Sequence, residues 1–106
     1  MFPRLLKVYS TDFTITFKLR QRKRLDLIIC DEVKRTILKR TSEQFYQVNL
    51  DLKDIGFIDT AAINMLMEVS EALKLRGYGF SIINVSEQAM ELLKLTPTLG
   101  DLIVER

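Results

Sequence analysis

The sequence predicts an α/β fold, a mixed β-sheet covered by helices mainly on one face. Three observations carry that expectation. Two extended segments follow each other near the N-terminus with no helical stretch between them. From Val48 onward, strand-like and helix-like segments alternate, which argues for parallel pairing. The strand patterns keep apolar residues on one side, so one sheet face is left for helices to cover. At 106 residues, one domain over residues 1–106 is expected.

Taken in order, Leu5 to Ser10 and Thr11 to Leu19 read as a β-hairpin. Phe13, Ile15, Phe17 and Leu19 alternate with Thr14, Thr16 and Lys18, the period of a half-buried strand. Ser10-Thr11-Asp12 offers short polar side chains for the turn. Leu25 to Cys30 is an apolar stretch interrupted by Asp26. Asp31 is then a candidate cap for a first helix carrying Val33, Ile37 and Leu38 and ending near Thr41 or Ser42. Val48, Leu50 and Leu52 alternate with Asn49, Asp51 and Lys53 as a third strand. Gly56 is expected to turn the backbone, and Phe57 and Ile58 to re-enter the core.

A second helix follows, capped by Asp59 or Thr60. Ala62, Leu66, Val69 and Leu73 form its inward stripe, with Asn64, Glu68 and Glu71 facing away. Arg76-Gly77 closes it. Tyr78 to Val85 is a strand. Ser86 caps a third helix with Glu87 in its first turn and Ala89, Met90, Leu92 and Leu93 on its apolar side. Pro97 ends that helix or starts a turn, and Leu99 to Val104 forms a short terminal element.

Composition narrows the function. The net charge of +2 is too small to imply a nucleic acid or membrane partner by itself, and no apolar run approaches the ~18 residues of a membrane span. One cysteine, Cys30, allows no internal disulfide. With no secretory signal, a cytoplasmic address is expected. With no histidine, Ser-His and Cys-His nucleophile pairs and the common zinc sites are excluded. No phosphate-binding glycine motif occurs. The chain is expected to be no enzyme, with no catalytic residue, metal or cofactor. Lys18 to Arg24 holds five basic residues in seven, a solvated loop or a contact for an acidic or lipid surface.

The chemistry concentrates at Asp59-Thr60. Thr60 stands at or beside the first residue of a helix, where unpaired N–H groups and the positive dipole end favour negative charge. A phosphate there would find donors and would turn a mild surface acidic. On these residues alone the plainer reading comes first, that both only cap the helix, because such caps are common. No second acid or nucleophile converges on Asp59 in the sequence.

Val48-Asn-Leu-Asp-Leu-Lys-Asp-Ile-Gly-Phe-Ile-Asp-Thr-Ala-Ala62, the following helix, Gly77, a strand and Val85-Ser86 together resemble a STAS domain, the fold of bacterial anti-sigma factor antagonists. Leu25-Asp26 is similar to the family's Ile-Asp segment, and the resemblance covers nearly the whole chain. It implies a four- or five-stranded mixed sheet covered by helices. In the antagonists, a Ser or Thr after the Asp is phosphorylated by a serine-threonine kinase that is also the anti-sigma factor. The unphosphorylated form binds that partner and releases the sigma factor. The resemblance therefore implies Thr60 as phosphoacceptor, and Asp26, Asp59, Thr60, Ala61 and Asn64 as partner-binding residues. The family's Ser/Ala-Gly-Leu continuation is Ala61-Ala62-Ile63 here, and its Gly-Glu turn falls where Arg20 to Arg24 stand. A second branch, the STAS subunits of lipid-asymmetry ABC transporters, also carries Asp-Thr at this joint. It implies a transporter ATPase subunit as partner, without phosphorylation. A scaffold component of a stress-signalling complex is a third possibility.

Overall fold

A computed structural model describes residues 5–41 and 45–104. The order is β1 (Leu6–Ser10), β2 (Thr14–Leu19), β3 (Arg24–Leu25), α1 (Leu27–Arg40), β4 (Gln47–Asp51), β5 (Phe57–Ile58), α2 (Thr60–Leu75), β6 (Gly79–Ile83), α3 (Glu87–Lys94) and α4 (Pro97–Leu102). The main sheet runs β1-β2-β4-β6, and β3 and β5 form a separate two-stranded sheet. β1 and β2 are antiparallel; β2, β4 and β6 are parallel, with Phe17 opposite Leu50 and Leu50 opposite Ile82. The hairpin and the mixed sheet are as expected from the sequence.

Strand alternation decides which face the helices cover. Ile15, Phe17, Leu19, Val48, Leu50, Phe80 and Ile82 are buried in one apolar cluster with Val33 and Ile37 of α1, Leu66, Val69 and Leu73 of α2, and Leu93 of α3. The opposite sheet face is polar and satisfies itself laterally. The Gln47 Nε2 donates to Asn49 Oδ1 at 3.0 Å and to Ser81 Oγ at 2.9 Å, and Asn49 Nδ2 donates to Thr16 Oγ1 at 3.5 Å. Asp51, buried at the end of β4, accepts from Lys53 N and Asn84 Nδ2. That pair ties the ends of two parallel strands together.

Four expectations need correction. α1 begins at Leu27, and its cap is Asp26, whose side chain accepts from Ile28 N. Asp31 lies inside the helix, and so does Cys30, because the apolar run after Asp26 is already helical. The left-handed residue in the loop after β4 is Asp54, at φ 71°, and Gly56 needs no positive φ. Asp tolerates that region better than most residues because its short polar side chain can hydrogen-bond the local backbone. Phe13 is exposed, outside β2, and its ring stands 5.5 Å from Tyr46. Phe57 is also exposed, and only Ile58 enters the core. Ser42, one of the two expected ends of α1, lies outside the described residues; the observed cap is Thr41. Pro97 opens α4, at the first helical position where its missing N–H is harmless.

The end of α2 shows why glycine stands at 77. The Tyr78 N–H reaches Leu73 O at 2.9 Å and the Gly77 N–H reaches Lys74 O at 3.0 Å, with Gly77 at φ 86°. This reciprocal pattern needs a left-handed residue just past the helix. Gly77→Ala should therefore cost about 1 kcal/mol, whereas Gly56→Ala, with open space at its Cβ, should stay within about 0.5 kcal/mol of wild type. Urea unfolding of the two variants checks this; equal losses would contradict it.

Candidate functional site

The two-residue strands β3 and β5 build the site. They pair in parallel, Arg24 opposite Phe57 and Leu25 opposite Ile58. Leu25 and Ile58 are buried and anchor the pair to the core. The chain then does the same thing twice. Each strand is followed by an extended aspartate, Asp26 or Asp59, and each aspartate caps a helix. Asp59 N donates to Leu25 O at 3.2 Å, so the two caps sit side by side.

Asp59 does more than cap its own helix. One carboxylate oxygen, Oδ1, accepts from Ala62 N at 2.9 Å, and the other, Oδ2, accepts from Leu27 N at 2.9 Å. The second donor is the first residue of α1. One side chain thus holds the N-termini of both helices. Further along, Lys34 of α1 pairs with Glu68 of α2, and Arg76 Nη1 donates to Leu38 O at 2.9 Å. The helices therefore run alongside each other in the same direction, with both positive dipole ends at Asp59. The Ala62 N–H above all, then the Leu27 N–H and the Arg24 charge, hold the Asp59 carboxyl below the usual carboxylate range against the opposing effect of desolvation.

Thr60 is exposed and is the first residue of α2. Asn64, one turn on, is also exposed, while Ala61 is half-buried against the core and Ala62 is fully buried. Ala61 and Ala62 are ordinary helical residues, and neither takes a positive φ. Alanine is accommodated there without backbone strain. Beside Thr60, a surface groove of about 360 Å³ runs between α2 and the end of α3. Ile63, Leu92 and Leu95 give it an apolar side, and Asn64 and Thr96 a polar one.

On the other side of Asp59 lie residues the sequence reading missed. Leu27 and Ile28 are 70% and 87% exposed. The Arg24 guanidinium stands 4.2 Å over the Phe57 ring and bonds Asp26 Oδ2 at 3.4 Å. The run Leu27-Ile28-Ile29-Cys30 looks like core because it is continuously apolar. A helix divides it, sending Ile29 and Cys30 inward and Leu27 and Ile28 outward. The repeated aliphatic-Asp pattern, Leu25-Asp26 and Ile58-Asp59, was the available signal.

The structure thus brings Asp26, Asp59, Thr60, Ala61 and Asn64 to one end of the α1–α2 pair. Cys30 is buried beneath it, its Sγ 3.6 Å from Leu27 O. Burial first, and then the charges of Asp31 and Asp59, push its thiol pKa up, which keeps it protonated and weakly nucleophilic. Among the described residues, no group of three or more His, Cys, Asp or Glu could hold a metal ion.

The chain matches the family model of the STAS domain over residues 9–103. No curated protein sequence matches it. Among solved structures, it is similar to the anti-sigma factor antagonist SpoIIAA in its unphosphorylated form, at 12% identity and TM-score 0.74, covering 95% of this chain and 87% of that one. An anti-sigma factor antagonist from Mycobacterium paratuberculosis matches at 14% identity and TM-score 0.78, over 95% of this chain and 85% of that one. The murine anion transporter Slc26a9 matches at 12% identity and TM-score 0.71, over 90% of this chain but 16% of the transporter. At these identities the structural likenesses establish the fold alone.

Two substitutions test the double cap. Asp59→Asn keeps one acceptor oxygen and Asp59→Ala keeps none, so melting temperatures should fall in the order wild type, Asn, Ala, with Asp59→Ala costing more than Asp26→Ala. Because the folded-state pKa is lowered, the Asp59 contribution is fully present above its unfolded value of about 3.9. It is lost as pH falls through the lower folded value. The gap between wild type and Asp59→Asn should therefore narrow in acid below that point. A gap that does not change with pH would contradict the assignment.

Proposed function

Because the chain belongs to the STAS domain family, we propose that it is a non-enzymatic regulatory binding module, an anti-sigma factor antagonist that binds an anti-sigma kinase and is switched by phosphorylation at Thr60. The observation that carries this reading is the exposure of Thr60 at the first helical residue, beside a doubly bonded Asp59. Asp26, Asp59, Thr60, Ala61 and Asn64 would form the partner-binding surface, with Leu27 and Ile28 as its apolar margin. SpoIIAA, the structural relative, is known in a phosphorylated as well as an unphosphorylated form.

The physics of the switch needs no catalytic group in this chain. A phosphate on Thr60 adds about −1.5 to −2 charges. The orphan N–H groups at the start of α2 can receive it, so the helix need not melt. A partner seated on the groove, however, would have to desolvate that charge or face it with its own carboxylates. Affinity falls while the fold stays intact. The cytoplasm, where such kinases work, is the compartment this reading requires.

A second reading is favoured by the basic segment Arg20 to Arg24, which suits work near a membrane. In it the chain is a STAS subunit of an ABC transporter and docks an ATPase subunit with the same face. Incubation with a candidate anti-sigma kinase and ATP separates the two. The switch reading expects one phosphate on Thr60, lost in Thr60→Ala, and partner binding at least about tenfold weaker in Thr60→Asp. Unchanged affinity of Thr60→Asp would overturn it, and copurification with an ATPase and membrane subunits would favour the transporter.

A further inference from the structure

We propose that the margin of this docking face reads an acidic, apolar-tipped protein segment: Arg20, Arg22 and Lys23 receive its carboxylates while Leu27 and Ile28 seat its apolar side chain. The inference rests on the docking reading above and gives the partner its chemistry.

The cations are presented, not loose. Arg20 N donates to Leu5 O at 2.9 Å, and Gly56 N donates to Lys23 O at 2.9 Å, so the backbone on either side of Arg22 is fastened to two neighbouring segments. Arg20, Arg22, Lys23 and Arg24 are all exposed. Arg24 is occupied, lying over Phe57 and bonded to Asp26. The other three make no ion pair among the described residues. An anchored backbone lowers the ordering penalty that a flexible basic loop would incur on binding.

The aliphatic pair follows this loop in sequence, past the two residues of β3 and Asp26. Leu27 N bonds Asp59 and Ile28 N bonds Asp26, so their backbones are fixed while their side chains stand in water. Apolar side chains held outward a few residues from cations without an ion pair mark an interaction surface more than a solvated loop.

Charge pattern chooses the occupant. The carboxylates of Asp26, Asp31 and Glu32 lie in the same stretch as the four cations. A uniformly anionic bilayer would be drawn to one set and repelled by the other. A protein segment can place its charges one by one, carboxylates over Arg20 to Lys23 and an apolar side chain over Leu27 and Ile28.

The test titrates the isotope-labelled full chain with a synthetic Glu/Leu peptide and follows amide shifts. A Lys/Leu peptide and phosphatidylserine vesicles serve as comparators. The proposal expects shifts over Arg20 to Ile28 with the Glu/Leu peptide alone, weakening as salt is raised. Arg22→Glu with Lys23→Glu should weaken binding about tenfold, and Ile28→Ser should weaken it without unfolding an already exposed site. Absent or displaced shifts, or indifference to the charge reversal, would overturn the proposal. Vesicle binding through the same residues in preference to the peptide would overturn the choice of a protein partner. If only this inference fails, Thr60→Asp still weakens kinase binding. If only the switch fails, the peptide still binds at Arg20 to Ile28.

Discussion

Two helices that start side by side and point the same way place two positive dipole ends together. Asp59 resolves that conflict with one carboxylate, an oxygen for each helix. The placement of the candidate site depends on this. β3 and β5, only two residues each, could not hold a register alone. The buried Leu25 and Ile58 fix their depth, and the Asp59 bonds fix the helices that follow. The chain can therefore expose Leu27, Ile28 and Thr60 on a rigid edge rather than on a mobile loop.

The sheet supplies the stage for that edge. Its apolar face is filled by α1, α2 and α3, while its polar face is self-satisfied through Gln47, Asn49, Ser81 and Thr16. Parallel strands β4 and β6 are joined by α2, and the connection returns the chain to one sheet end each time. Ser86 adds a tie at the opposite end, where β4 and β6 finish, donating to Ile55 O at 2.8 Å while capping α3 through Ala89 N. The loop before β5 is thereby pinned from below, and Asp59 is held in place by the core as much as by its own bonds.

The fold was largely legible in the sequence because its signals are local. The alternation of β2 and β4, the stripe of α2, the Gly77 stop and the Ser86 cap all depend on neighbours within a few residues. The misplaced start of α1 came from an apolar run that hid a helix boundary, with two aspartates competing for the cap. The turn assigned to Gly56 belongs to Asp54, because glycine permits a positive φ without requiring it. The pairing of β3 with β5 and the second Asp59 bond were not legible. Two-residue strands have no periodicity, and Leu27 lies 32 residues from Asp59. Thr60 could be picked out as a helix-start hydroxyl, but the aliphatic pair beside it could not.

The central claim is that one carboxylate holds both helix starts. The most direct measurement follows the amide proton shifts of Leu27 and Ala62 as the carboxylates are titrated with acid. The account predicts that both amides move together, with one shared midpoint below that of an ordinary aspartate, and that neither shows this transition in Asp59→Asn. Separate midpoints, or a Leu27 amide indifferent to the titration of Asp59, would contradict it.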